Sequence, residues 1–264
     1  MDNATTTVEQ LISSVREHIA ALLLEIDDIV LQVNPQIEAE YATKIGYLEN
    51  DLMRWQIAAR RAKRRYTLAQ ARVNAGLSFE SNEFEAQLDD ELSEWESLLA
   101  KSVSAFLEAT ELLAGSRALS PAESRELKQL HRELIKRLHP DLHPGQSQEA
   151  ARFFQVAQFA YENGDLLTLR SIAVATEGLG EDDVPSFSSE DEAYAELELA
   201  LAHERVVEQQ LKGLKRSNPY VLKEKLDDGA WVLCYTTELK SRIAEQKAAA
   251  KAYDERFSKL AGGV

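Results

Sequence analysis

The segment IKRLHPDLHPG, residues 135–145, gathers His139, Asp141 and His143 within a few positions of one another, with His131 upstream. Imidazoles and a carboxylate at such spacing can hold a metal ion, move protons, or stand on a stiff loop that another protein reads. The ligand chemistry suits a metal, but the Cys/His spacing of a structural zinc site is missing, so no metal is expected. Acid/base catalysis requires groups converging in a pocket, whereas this pattern offers the tip of a helix; no catalytic residue and no cofactor is expected. Pro140 and Pro144 favour the third reading, because a preset backbone loses less entropy when it docks.

The flanking residues say how such a loop is held. Ser120-Pro121-Ala122-Glu123 combines an N-cap serine, a proline at the first helical position and a glutamate placed for a capping box. Leu127, Leu130, Leu134, Ile135 and Leu138 then fall on one helical face, and Arg125, Lys128, Arg132 and Lys136 on another. Pro140 ends this helix at His139, since the residue before a proline is pushed out of α geometry. A second helix over about 148–162 aligns Ala150, Phe153, Phe154, Ala157, Ala160 and Tyr161 before Asn163-Gly164 stops it. Two antiparallel helices with a His-Pro-Asp loop at their tip are predicted, Phe154 and Tyr161 opposing Leu130 and Leu134.

LKQLHRELIKRLHPDLHPG followed by EAARFFQVAQFAYENGD resembles helices II and III of the J domain of DnaJ-type co-chaperones, over roughly residues 120–176. The resemblance implies a protein that docks on a DnaK-type ATPase chaperone, stimulates its ATP hydrolysis and is itself no enzyme. By position it assigns His139, Pro140 and Asp141 to the tripeptide, and Lys128, Arg132, Lys136 and Arg137 to the basic docking face. There are departures. No Tyr-x-x-Leu-Gly-like first helix precedes Ser120, and SAFLEATELLAGSRAL is the expected substitute for its packing surface. His131 stands at a usually aromatic position and Glu133 at a frequently basic one. No Gly/Phe-rich region or zinc-binding cysteine repeat follows, and no client is indicated.

The remainder reads as helix. Leu, Ala, Glu, Gln, Lys and Arg dominate, 44% of the 264 residues are hydrophobic, and Gly and Pro are scarce, so an all-α chain with a substantial core is predicted. Val8, Ile12, Val15, Ile19, Leu22, Ile26, Ile29 and Val33 form a heptad seam on a first helix. NPQ at 34–36 is expected to end it and start a second, whose apolar positions run from Ile45 to Val73 and stop near Gly76. A third carries Phe84, Leu88, Leu92, Trp95, Leu99, Phe106 and Leu113. These helices suit a hairpin or bundle, or a homodimer through the N-terminal heptads. The expected organisation is a long-helix arm over 1–115, the J-like segment over 116–178, an acidic linker over 179–193 and a C-terminal helical hairpin over 194–264.

A net charge of −15 disfavours a polyanionic partner. The local exception is RWQIAARRAKRRYTLAQAR, residues 54–72, with seven basic residues and no acid. Arg60, Arg61, Lys63, Arg64 and Arg65 form a candidate anion-binding patch for nucleic acid or an anionic membrane. The competing and preferred reading pairs them with NEFEAQLDDELSEWE on an antiparallel third helix. The lone Cys234 cannot form an internal disulfide, the first residues lack a secretory pattern, and the longest apolar runs fall short of the roughly 20 residues that span a bilayer; a cytoplasmic protein is expected.

Overall fold

A computed structural model describes residues 2–115, 119–177, 179, 187 and 189–261. The chain is all-α, with no strand among the described residues. The helices are α1 (Asp2–Asp28), α2 (Asn34–Tyr41), α3 (Tyr47–Asn74), α4 (Glu85–Gly115), α5 (Pro121–Leu138), α6 (Gln148–Glu162), α7 (Leu166–Ala175), α8 (Glu190–Lys215), α9 (Leu222–Asp227) and α10 (Gly229–Ala261). Two π-helical turns, Ile29–Val33 and Ala42–Gly46, join α1 to α2 and α2 to α3.

Contrary to the sequence expectation, Pro35 does not end the first helix. Asn34 keeps right-handed helical angles and donates its N–H to the Ile29 carbonyl, five residues back. An α-helical proline clashes with the carbonyl four residues earlier and leaves it without a donor. The wider π turn shifts the bonding by one residue ahead of the ring, so the helix absorbs the proline locally. The expected stop after the second seam is present: Gly76 has φ +71°, a left-handed angle that costs glycine nothing.

The contacts divide the chain into two units, and not at the expected linear boundaries. Unit 1 comprises 1–37 and 115–221; unit 2 comprises 38–114 and 222–264. The expected arm over 1–115 is therefore split. The predicted C-terminal hairpin over 194–264 is also corrected, because α8 packs on α1 whereas α10 packs on α3. Most of the predicted linker, including residues 180–186, lies outside the described residues. Its last part opens α8, where the Ser189 hydroxyl accepts the Glu192 N–H.

In unit 1, α1 and α8 run parallel: Val8 clusters with Ala193, Arg16 pairs with Glu196, His18 with Glu204 and Glu25 with Lys215. Against α5, α1 runs antiparallel, since Asp28 meets Lys128, Asp27 meets His131 and Glu17 meets Lys136. The shared core takes Ile19, Leu23, Ile26 and Ile29 from α1, Leu127, Leu134, Ile135 and Leu138 from α5, Phe154, Ala157 and Tyr161 from α6, Leu169 and Ile172 from α7, and Val207 and Leu211 from α8. Burying this apolar surface is what drives the five segments together.

In unit 2, α10 runs parallel to α3. Lys44 donates to the Leu226 carbonyl, Tyr235 to Glu49, and Arg65 to Asp254, so successive partners ascend together. Helix α4 returns antiparallel to α3, with Phe84 and Leu88 packed against Ala69 and against Phe257 of α10. Trp231 and Tyr235 stack on each other at 5.2 Å near the start of α10.

Candidate functional site

Helix α5 starts where its residues require. The Ser120 hydroxyl accepts the Glu123 N–H and the Glu123 carboxylate accepts the Ser120 N–H at 2.8 Å, which satisfies two of the helix's unpaired donors. At the other end, His139 adopts an extended conformation (ψ 128°) ahead of Pro140 while its N–H still reaches Ile135. The turn is self-bonded. Leu142 and His143 both donate their N–H groups to the His139 carbonyl, the Asp141 N–H donates to His139 Nδ1 at 3.1 Å, and His143 Nε2 donates to the Lys136 carbonyl at 2.8 Å. The Ser147 hydroxyl then caps α6 through the Ala150 N–H.

These bonds define the state of His139. Accepting from a backbone N–H requires a bare Nδ1, so the proton resides on Nε2. The ring is half-buried edge-on to Phe154 at 4.8 Å, and this burial holds the imidazole below its ordinary pKa, with Asp141 pulling weakly the other way. His139 therefore braces the corner as a neutral ring. Pro140 and Asp141 form its exposed rim.

The flanking helices are antiparallel: His131 stacks on Tyr161 at 3.9 Å at one end and His139 meets Phe154 at the other. Of the four basic residues assigned to the docking face, three are exposed and one is not available. Lys128 pairs with Asp28 at 2.9 Å and Lys136 with Glu17 at 3.4 Å, while Arg132 has no partner among the described residues. Arg137 turns inward and donates to the Ala173 carbonyl at 2.8 Å and the Thr176 hydroxyl at 3.1 Å. It ties the C-terminal end of α7, where helical carbonyls lack intrahelical donors, so its assignment to docking is corrected. Asp141 also has an internal neighbour, His203 Nε2 of α8, at 3.5 Å.

A buried polar cluster behind the corner was not legible in the sequence. Asp27, only 8% exposed, accepts from His131 Nε2 at 3.1 Å and from the Gln158 amide at 3.3 Å. The Tyr161 hydroxyl donates to Asp28 at 2.8 Å, and burial with that charge raises its pKa. His131 Nδ1 is buried without a hydrogen-bond partner among the described residues. The aspartates sit in α1, with Asp27 104 positions from His131, and only an acid at a seam-adjacent position hinted at them. Most of the packing surface expected from SAFLEATELLAGSRAL is likewise supplied by α1, through Ile19, Leu23, Ile26 and Ile29, while Leu119 of that segment also packs on this core and its residues 116–118 lie outside the described residues. Those α1 residues project from the helix face already turned toward α5.

The candidate anion-binding patch is largely engaged. Arg61 bonds Glu85 at 2.5 Å and Asp89 at 2.6 Å, Arg64 forms a two-pronged pair with Glu91, Arg65 reaches Asp254 at 2.6 Å, and Arg60 lies 4.2 Å over the Trp95 ring. The bonds from Arg64 and Gln87 lower the Glu91 pKa to about 2. Lys63 alone of the five has no such partner among the described residues. Opposing charges on neighbouring helices here cancel the field that a polyanion would need.

Among the described residues, no group of three or more His, Cys, Asp or Glu is arranged to hold a metal ion, and no helix is long and apolar enough to cross a membrane. Cys234 is exposed. Comparison of the chain with family models, with curated proteins and with solved structures finds no match.

Proposed function

We propose that the chain is a J-domain-like co-chaperone or adaptor that docks on a DnaK-type ATPase chaperone through the His139-Pro140-Asp141 corner and raises its ATP turnover. The observation that carries this reading is the corner itself: a neutral, braced His139 behind an exposed Pro140 and Asp141, at the tip of antiparallel helices whose outer face keeps an exposed Arg132 with no partner among the described residues. Asp141 is a short acceptor for a cation on the partner, and the pre-bonded turn reduces the entropy lost on contact. Such a protein catalyses nothing; it shifts the partner's conformational equilibrium by binding one state better. The proposed setting is cytoplasmic, with the client unspecified.

A second reading is favoured by one specific observation. Lys128, Lys136 and Asp141 face Asp28, Glu17 and His203 of the same unit, which suits a structural interaction protein whose hairpin no longer couples to a chaperone. Exposed pairs of this kind contribute about 0–1 kcal/mol each, too little to bar a partner that offers better counter-charges, so the docking reading is preferred. Nucleic-acid binding through 54–72 is not proposed, given its engaged arginines. The discriminating experiment is ATP turnover by a purified DnaK-type chaperone with added wild-type chain or His139→Gln. Docking predicts stimulation by the first and none by the second at equal helicity; turnover unchanged by both supports the structural reading.

A further inference from the structure

Helix α8 buries Ala193, Ala200 and Val207, spaced by sevens, and Leu211 one turn on. That face rests on α1. Beside it runs a second stripe that the packing of the unit does not explain: Leu199 is 67% exposed and Val206 62% exposed, again seven apart, with His203 between them on the same flank. Singly exposed aliphatic residues are unremarkable. These two are distinguished by position, because His203 is the residue whose ring lies 3.5 Å from the Asp141 carboxylate. The flank of α8 that carries Leu199 and Val206 is therefore the flank turned toward the His-Pro-Asp corner. Leu199 lies one turn before His203 and Val206 one turn after it, so both adjoin the residue that meets Asp141.

We infer that Leu199, His203 and Val206 of α8 extend the docking surface of the corner, supplying apolar contact to the same ATPase chaperone that reads Pro140 and Asp141. This rests on the docking reading above. The surface so formed combines an acceptor at Asp141 with an aliphatic ridge beside it. It fits a partner patch that pairs a cation with apolar side chains, the usual composition of an interface centre and its rim.

The test is a titration of a purified DnaK-type chaperone, turning over ATP, with the full chain and with Leu199→Ser/Val206→Ser. Both positions are exposed, and an unchanged thermal midpoint establishes that the variant is folded. The expected result is a rise of about tenfold in the half-saturating concentration with the maximal stimulation retained, since losing two partly covered aliphatic groups corresponds to about that factor. Leu199→Met/Val206→Ile should restore the wild-type value. An unchanged half-saturating concentration, with His139→Gln still inactive, overturns the α8 stripe and leaves the docking reading standing. Absence of stimulation by the wild-type chain overturns the docking reading and the stripe with it. A wild-type dimer that becomes monomeric in the serine variant, at unaltered stimulation, assigns the stripe to a second copy and also overturns the inference.

Discussion

Asp27 and His131 should behave as a unit whose halves are costly to remove singly and cheap to remove together. Replacing Asp27 by Leu leaves Nε2 of a fully buried imidazole without an acceptor, beside an Nδ1 that already lacks one. One newly unsatisfied buried group costs about 2 kcal/mol. Replacing His131 by Phe keeps the stacking on Tyr161 but leaves a nearly buried carboxylate with only the long Gln158 contact, again about 2 kcal/mol after allowing for its residual exposure. In the double variant neither charge nor orphaned nitrogen remains, and Gln158 is half-buried and can turn to water, so the loss is only about 1 kcal/mol. The singles therefore overstate the pair by about 3 kcal/mol, at the upper end of measured coupling energies. The assay is urea denaturation followed by far-ultraviolet circular dichroism. Tryptophan fluorescence supplies a reference, because Trp55, Trp95 and Trp231 all belong to unit 2. Additive losses in the double variant would refute the reasoning, showing that the two side chains do not act on each other.

Arg137→Ala should lower unit 1 stability by about 2 kcal/mol, the value of charge-assisted bonds to the end of α7, while leaving maximal chaperone stimulation intact; urea midpoints and ATP turnover check the two halves. Acid should weaken the corner through His139. Its folded pKa is depressed, so its contribution is complete above the ordinary value of 6.5 and is lost as pH falls below that value towards the folded pKa. Comparing urea midpoints at about pH 7.5 and about pH 5 should show a smaller decline in His139→Gln than in wild type.

The separate elements around the corner were legible because their signals are local. A serine, a proline and a glutamate at fixed offsets specify the start of α5; Pro140 specifies its end; periodic aliphatics specify which face turns inward. Leu134, Ile135, Leu138, Phe154 and Tyr161 are buried accordingly. Pro35 was misread because a proline's effect depends on whether the preceding turn can widen, and a π turn depends on neighbours that a short window does not include. Arg137 was misread for a related reason. A basic residue at the end of a helix suits either solvent or a nearby carbonyl, and only the placement of α7 decides between them.

By itself, the sequence determined the helical class, the bounds of α5 and α6, the turn at Gly76 and the existence of a proline-stiffened corner. All of these follow from interactions spanning a few residues. Tertiary structure alone decided that α8 joins α1 while α10 joins α3, that α1 supplies Asp27 and Asp28 to the helix behind the corner, and that His203 stands beside Asp141. Those partners lie from about sixty to nearly two hundred residues apart. Apolar burial rewards any well-packed pairing of amphipathic faces, so the pairing is settled only by how all the faces, and the charges at their edges, fit at once.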